Sequence, residues 1–85
     1  MTFKEVELPK VIHLIFDNDD EMYPGILIEI KDINEAEDNC VLRVDIVSEI
    51  VNLKVPYTAL NESAMHMAGV HLFLDREDAK QHLSK

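Results

Sequence analysis

Cysteine is almost absent from this chain of 85 residues, and so are long apolar runs. The single cysteine, Cys40, excludes an internal disulfide bond and is typical of a protein from a reducing compartment. No apolar run approaches the roughly 18 residues that a membrane-spanning helix needs. Glu5 and Glu7, close behind Lys4, do not fit the basic and then apolar layout of a signal peptide. The sequence therefore predicts a cytoplasmic protein that does not bind a membrane.

Glycine is also scarce, which limits the kinds of active site that the chain can build. A phosphate-binding loop needs several glycines so that backbone N–H groups approach the phosphate oxygens. The chain has only Gly25 and Gly69, far apart and outside any such motif. Ser48, Ser63 and Ser84 lie in none of the sequence contexts of a serine hydrolase. We therefore expect no enzymatic activity, no catalytic residues and no cofactor.

Positive charge is the third shortage, with eight basic residues against 17 acidic ones and a net charge of −9. Such a surface repels phosphate groups, so direct binding to nucleic acid is not expected. Much of the acidic surplus lies in two clusters in predicted loops: Asp17, Asp19, Asp20 and Glu21, and then Asp32, Glu35, Glu37 and Asp38. Solvated acidic loops keep a small protein soluble, and these eight residues are also the candidates for binding a protein partner.

The first acidic cluster has the spacing of the start of a calcium-binding loop, with Asp17, Asp19 and Glu21 at alternate positions. Such a loop also needs glycine at its sixth position and glutamate at its twelfth. Here these positions hold Met22 and Ile28. The sequence therefore predicts no calcium site.

The histidines offer two further hypotheses. His66 and His71 have a spacing seen in zinc sites, but no second pair of soft ligands accompanies them, so we predict no metal site. His13 and His71 are each the one polar residue in an apolar segment. If their strands are neighbours, the two imidazoles form a pH-sensitive pair across the sheet. The simpler alternative is that each ring lies half covered on the charged side of the sheet.

Apolar and polar residues alternate from Ile26 to Val55, and this alternation predicts three strands, each with one apolar side. The predicted apolar sides are Ile26, Ile28 and Ile30, then Cys40, Leu42, Val44 and Ile46, then Val51, Leu53 and Val55. This phase places the thiol of Cys40 in the interior, where it would be unreactive.

Two segments before this region also have strand character. Val11–Phe16 is apolar apart from His13, as expected of a central strand covered on both sides. Phe3–Leu8 predicts an edge strand, since Pro9 cannot donate a hydrogen bond to a neighbouring strand.

After Pro56 the pattern changes to helical spacing, with apolar residues from Leu60 to Ala68, Asn61 as a cap and Gly69 at the C-terminal end. The residues from 70 to 74 predict a fifth strand, and the acidic run that begins at Asp75 predicts the start of a last helix. We expect one α+β domain over residues 1–85 with the order β-β-β-β-α-β-α. It would have a mainly antiparallel, strongly twisted or partly barrel-like sheet of four to five strands, and two short helices in the C-terminal third.

The predicted sheet has more apolar surface than the predicted helices can cover. Its apolar side gathers fifteen large residues: Ile12, Leu14, Phe16, Ile26, Ile28, Ile30, Leu42, Val44, Ile46, Val51, Leu53, Val55, Val70, Leu72 and Leu74. If a third of this apolar surface stayed exposed to water, the folded state would lose several kcal/mol of stability, at about 25 cal/mol per Å² of apolar surface. Either the sheet curls into a partial barrel or a second chain covers it. On the opposite side, Leu27, Val41, Val47 and Ile50 are the candidates for a second contact.

Two function classes follow from these observations. The first is a small non-enzymatic interaction or regulatory module that forms a homodimer through an apolar sheet face and acidic loops. The alternative is an acidic inhibitor, such as an immunity or anti-defence protein, that blocks a basic groove of a nucleic-acid enzyme or toxin.

Overall fold

The computed structural model of the protein describes residues 1–84 and contains one six-stranded antiparallel sheet followed by one α-helix. The elements are β1 (Lys10–Phe16), β2 (Tyr23–Asn34), β3 (Asn39–Ile46), β4 (Glu49–Val55), a 3-10 helix (Tyr57–Asn61), β5 (Ala64–Met67), β6 (Val70–Phe73) and α1 (Arg76–Leu83). The strand order is β4-β3-β2-β1-β6-β5, which makes β1 a central strand as predicted.

The sheet curls into a half-barrel, and its concave side holds the main core. The buried members of this core are Phe3, Ile12, Leu14, Leu27, Cys40, Leu42, Val44, Val55, Leu60, Met65, Leu72 and Leu74. Most come from the strands, as expected of a sheet that closes over its own apolar side. The prediction that the sheet would be partly barrel-like is therefore confirmed.

The N-terminal segment and the 3-10 helix fill the open end of the half-barrel, which the sequence did not predict. Phe3 is fully buried, and its N–H donates to the carbonyl oxygen of Glu62 at 3.0 Å. Leu60, from the 3-10 helix, is buried beside it in the same core, and its carbonyl oxygen accepts from the N–H of Lys4 at 2.8 Å. The predicted edge strand over Phe3–Leu8 was wrong, because this segment bonds to the end of the 3-10 helix instead of to a strand.

A β-bulge in β2 changes which side chains face the core. The register pairs Leu27 with Val44 but Glu29 with Arg43, so Ile28 is an extra residue. Because of the extra residue, Leu27 and Ile30 both face the core although they are three positions apart: Leu27 is buried and Ile30 packs against the core. The predicted inward orientation of Ile26 was wrong, since its side chain is 41% exposed.

The predicted helix between Leu60 and Gly69 was also wrong. After the 3-10 helix the chain forms β5 and β6, joined by a two-residue turn of Ala68 and Gly69, with Met67 opposite Val70. Gly69 has φ +92°, a conformation that glycine adopts without steric cost, so it serves a hairpin instead of a helix end. Pairing of β6 with β1 connects this hairpin to the rest of the sheet.

The C-terminal helix begins as predicted. The side chain of Asp75 caps α1 by accepting a hydrogen bond from the Glu77 N–H at 2.8 Å. The helix packs on the convex side of the sheet, where Ala79 joins Ile15 and Phe73 in a second, smaller core. Part of the convex side is therefore covered by α1, and the part formed by β2, β3 and β4 is not covered by it.

Candidate functional site

The β5–β6 hairpin brings His66 and His71 together. The register places the two residues directly opposite each other, and their Nδ1 atoms are 2.9 Å apart. The hairpin turn produces this pairing, because a two-residue turn sets residues three and five apart in sequence opposite each other across the ladder. The sequence analysis had considered this pair, but the arrangement depends on a hairpin that it assigned to a helix.

Asp17 fixes the orientation of the hairpin and of one of its imidazoles. Its Oδ1 lies 2.8 Å from His71 Nε2, and its Oδ2 accepts a hydrogen bond from the Gly69 N–H at 3.1 Å. The Asp17 N–H in turn donates to the Gly69 carbonyl oxygen at 3.0 Å. An ionised carboxylate only accepts hydrogen bonds, so His71 Nε2 carries a hydrogen and, in the neutral ring, Nδ1 carries the lone pair.

A third histidine, His82, completes the cluster from α1. Its ring centroid is 4.6 Å from that of His71 and 5.8 Å from that of His66, and Phe73 lies beside it at 5.3 Å. The sequence analysis missed His82, because no local pattern indicates that the last turn of α1 folds back over β6. We call His66, His71 and His82, with Asp17, the histidine cluster.

His13 does not belong to the histidine cluster. Its strand is adjacent to that of His71, as the hypothesis of a pair required, but His13 lies opposite Phe73 and His71 lies opposite Ile15. The register thus does not set the two rings against each other. Burial, together with the positive charge of Arg76, lowers the pKa of His13 below its ordinary value.

The two acidic clusters lie at opposite ends of β2, and the carboxylates of three of their members accept hydrogen bonds from other residues of the protein. Asp17 bonds to the hairpin described above. Asp19 Oδ2 accepts a hydrogen bond from the Tyr23 hydroxyl at 2.8 Å, and this bond raises the pKa of Tyr23 to about 12. Asp38 accepts two hydrogen bonds from Thr58. The other predicted partner-binding residues are exposed: Asp20, Glu21, Asp32, Glu35 and Glu37.

The convex side of β1 to β4 presents an exposed apolar surface. Val11 pairs with Ile26, Ile26 with Asp45, and Asp45 with Ile50, so these residues form one row across four strands. The apolar side chains of this row are exposed: Val11 to 54%, Ile26 to 41% and Ile50 to 48%. Val47, in the β3–β4 turn beside this row, is 74% exposed. We call Val11, Ile26, Val47 and Ile50 the convex patch; three of them, without Ile50, line one shallow groove.

Charges of both signs lie next to the convex patch. Glu29 and Arg43 face each other in the ladder two register positions beyond the row, after the pair of Leu27 and Val44. Lys31 and Lys54 both pair with Val41, two register positions further along. Within β1 to β4, the convex side thus carries three of the eight basic residues of the chain, together with Glu29 and Asp45. Its balance of charge differs from the net −9 of the whole chain.

Cys40 is fully buried on the concave side, as strand alternation predicted. Burial raises the pKa of its thiol, with a smaller contribution from Asp38, which disfavours the thiolate that a nucleophile or metal ligand needs. Among residues 1–84, no three side chains of His, Cys, Asp or Glu form a group that could hold a metal ion.

Over the same residues, the chain has no helix with the length and apolar character needed to span a membrane. Comparisons with protein-family models, with curated proteins and with solved structures gave no match. The features of the molecule that bear on its function are the histidine cluster, the acidic loops and the convex patch.

Proposed function

We propose that the protein is a small non-enzymatic interaction module that forms a homodimer through the convex side of β1 to β4. The observation that carries this proposal is the coincidence of the convex patch with a surface of mixed charge. Large apolar side chains grouped on one face, next to polar residues, are typical of protein contact surfaces.

Mixed charge favours a second copy of the chain as the partner. A two-fold symmetric interface brings the same surface of two molecules together, so that surface must complement itself. The convex side has anions at Glu29 and Asp45 and cations at Lys31, Arg43 and Lys54. Two copies of this face attract each other when opposite charges are placed opposite one another, whereas two acidic loop regions would repel each other.

The concave side does not need a second chain, because Phe3 and Leu60 already fill it. Dimerisation is therefore not required to complete the main core. We infer an association between folded subunits, whose strength depends on the convex patch and not on shared folding.

The alternative expectation, an acidic inhibitor of a basic groove, has less support. Its two acidic clusters lie at opposite ends of β2, which is 12 residues long, so they do not form one stripe. Asp17, Asp19 and Asp38 are also engaged in hydrogen bonds within the protein.

Sedimentation equilibrium over a range of protein concentrations tests the proposal. The wild-type protein is expected to reach twice the chain mass of 9.8 kDa. Ile26→Glu places a charge in the middle of the row and is expected to raise the dimer dissociation constant by about 30-fold or more. Ile33→Glu is the matched control, because Ile33 lies on the same strand, is 54% exposed and is outside the convex patch.

The control variant is expected to dimerise like the wild-type protein, and circular dichroism is expected to be the same for all three proteins. A wild-type protein that stays monomeric up to millimolar concentration would overturn the proposal. So would an equal loss of dimer in both variants, since that would place the contact elsewhere.

A further inference from the structure

The geometry of the β5–β6 hairpin points to a second property, independent of dimerisation: we infer that His66 and His71 form a two-histidine binding site for a divalent transition-metal ion that prefers tetragonal coordination, such as Cu²⁺ or Ni²⁺. Imidazole nitrogen is a common ligand for these ions. The two rings lie on a short hairpin, and His66 is exposed, so an ion reaches them from solvent.

The spacing of the two nitrogens selects the coordination geometry. A metal ion sits about 2.0–2.1 Å from each imidazole nitrogen. Two nitrogens 2.9 Å apart then subtend an angle of about 90° at the metal, given those bond lengths. That angle is the one between adjacent ligands in square-planar or octahedral coordination, whereas a tetrahedral ion needs wider spacing. The hairpin therefore suits Cu²⁺ or Ni²⁺ better than Zn²⁺.

Asp17 prepares one of the two ligands. A histidine that binds a metal through one nitrogen usually donates a hydrogen bond from the other, often to a carboxylate. His71 has this arrangement, with Nε2 held by Asp17 Oδ1 at 2.8 Å and Nδ1 directed to His66. In the metal-free protein the His66 Nδ1–H donates to the lone pair of His71 Nδ1, and when the ion takes this position His66 adopts, by exchange with solvent, the tautomer that carries its hydrogen on Nε2.

The remaining coordination positions belong to water. No group of three ligand side chains converges among residues 1–84, so the site is a pair and not a closed cage. His82 packs against both rings and limits their movement instead of serving as a required ligand. Cu²⁺ is expected to bind more tightly than Ni²⁺, following the general order of affinity of divalent metals.

Binding has a structural consequence because β5 is an edge strand that pairs with β6 alone. An ion held by one residue from each strand links the edge strand to its neighbour. Since the unfolded chain lacks this geometry, the ion stabilises the folded state, and the melting temperature rises with its concentration.

The test uses the full chain without a histidine tag. Isothermal titration with Cu²⁺ and with Ni²⁺ is expected to give one ion per chain, and the spin-resonance spectrum of the Cu²⁺ form is expected to show two nitrogen ligands. Asp17→Asn keeps an acceptor near Gly69 but weakens the orientation of His71. It is expected to lower the affinity by about 10–100-fold.

Three single variants separate this site from general binding by histidine. His66→Ala and His71→Ala are each expected to weaken binding more than Asp17→Asn does, because each removes a ligand. His13→Ala is the matched control and is expected to bind like the wild-type protein. Circular dichroism of the exposed His66 variant confirms that the fold is retained.

Equal affinity in the wild-type protein and the His66→Ala/His71→Ala double variant would overturn the inference. An equal loss in His13→Ala would do the same, because binding would then depend on histidine content and not on the pair. Sedimentation of the wild-type protein with and without Cu²⁺ keeps this result separate from the dimer proposal.

Discussion

Asp38 and Thr58, twenty positions apart in the chain, are joined by two hydrogen bonds. The Thr58 N–H donates to Asp38 Oδ1 at 2.8 Å, and the Thr58 hydroxyl donates to Oδ2 at 3.1 Å. The first residue lies in the β2–β3 turn and the second in the 3-10 helix that carries Leu60 into the core. This contact thus attaches the longest hairpin of the sheet to the segment that fills its open end.

We expect Asp38→Ala to lower the free energy of unfolding by about 1–3 kcal/mol, because it removes both hydrogen bonds. Asp38 also has φ +53°, which alanine tolerates less well than aspartate. Thr58→Val removes only the hydroxyl bond and is expected to cost about 0.5–1.5 kcal/mol. Urea denaturation measures both effects. Glu37→Ala, in the same turn, is the control and is expected to change stability by less than about 0.5 kcal/mol; an equal loss there would contradict the role of the contact.

The β3–β4 turn contains an unusual residue for its conformation. Val47 has φ +51° and Ser48 has φ +68°, so both central residues of this two-residue hairpin are left-handed. Asn and Gly suit such a turn, whereas a β-branched side chain is strained in it. The replacement Val47→Asn is expected to stabilise the monomer by about 1–2 kcal/mol, measured by urea denaturation below the dimerisation range.

The same replacement in a strand serves as the control for Val47. Val41 lies in β3, where asparagine is a poor strand former, so Val41→Asn is expected to destabilise the protein. A gain at both positions, or at neither, would show that backbone strain at Val47 is not the cause. Because Val47 belongs to the convex patch, Val47→Asn is also expected to weaken the dimer while it stabilises the fold.

Strands with uninterrupted alternation were predictable from the sequence. In β3, Cys40, Leu42 and Val44 are all buried as predicted, because a period of two leaves one choice of face. In β2 the same rule failed before the β-bulge, at Ile26 and Leu27, since the extra residue at Ile28 shifts the phase relative to Ile30 and no residue type marks the bulge. Leu27 was therefore assigned to the wrong side.

The segment before Gly69 shows why the histidine cluster was only partly predictable. Leu60, Ala64 and Met67 have helical spacing and good helix propensity, but the pairing of Ala64–Met67 with β6 outweighs these local preferences. His66 and His71 were candidates, yet their contact depends on that hairpin. The approach of Asp17, 54 positions away from His71, depends on the pairing of β1 with β6, which the order of residues does not reveal.

Gly25 is required because of close packing between β2 and its neighbours. A Cβ atom at this position would overlap the Leu14 side chain and would lie 3.5 Å from Val44 Cγ1. We expect Gly25→Ala to destabilise the protein by about 1–3 kcal/mol through overpacking. A double-mutant cycle with Leu14→Val, which shortens the conflicting side chain, checks the cause by urea denaturation. Purely additive effects in this cycle would mean that the overlap is not responsible.

The hydrogen bond between Tyr23 and Asp19 is testable by absorbance. It raises the pKa of the Tyr23 phenol to about 12, because ionisation breaks the bond and places a second negative charge beside the carboxylate. In a Tyr57→Phe background, where Tyr23 is the one remaining tyrosine, the ultraviolet titration is expected near that value. Asp19→Asn is expected to return it toward the ordinary value of 10.0. An unchanged titration in the Asn variant would show that the carboxylate is not the cause.

The lowered pKa of His13 predicts how stability depends on pH. Burial, with the nearby charge of Arg76, disfavours the protonated ring in the folded state, so the folded protein binds fewer protons than the unfolded chain. The contribution of neutral His13 is therefore complete above its ordinary pKa of 6.5, and it decreases as the pH falls through that value toward the lowered one.

Replacement by an uncharged residue removes this contribution. We expect the free energy of unfolding to fall less steeply between about pH 7 and pH 5 in His13→Gln than in the wild-type protein, since only the wild-type residue takes up a proton on unfolding. Urea denaturation at several pH values measures the difference in the free energy of unfolding between the two proteins. The contributions of the other three histidines are common to both proteins and cancel in this difference. Nuclear magnetic resonance titration of the His13 ring supplies the independent check, with a pKa below 6.5 expected. Parallel pH profiles for the two proteins would contradict this account, because a ring whose pKa is lowered in the folded state must destabilise the fold in acid.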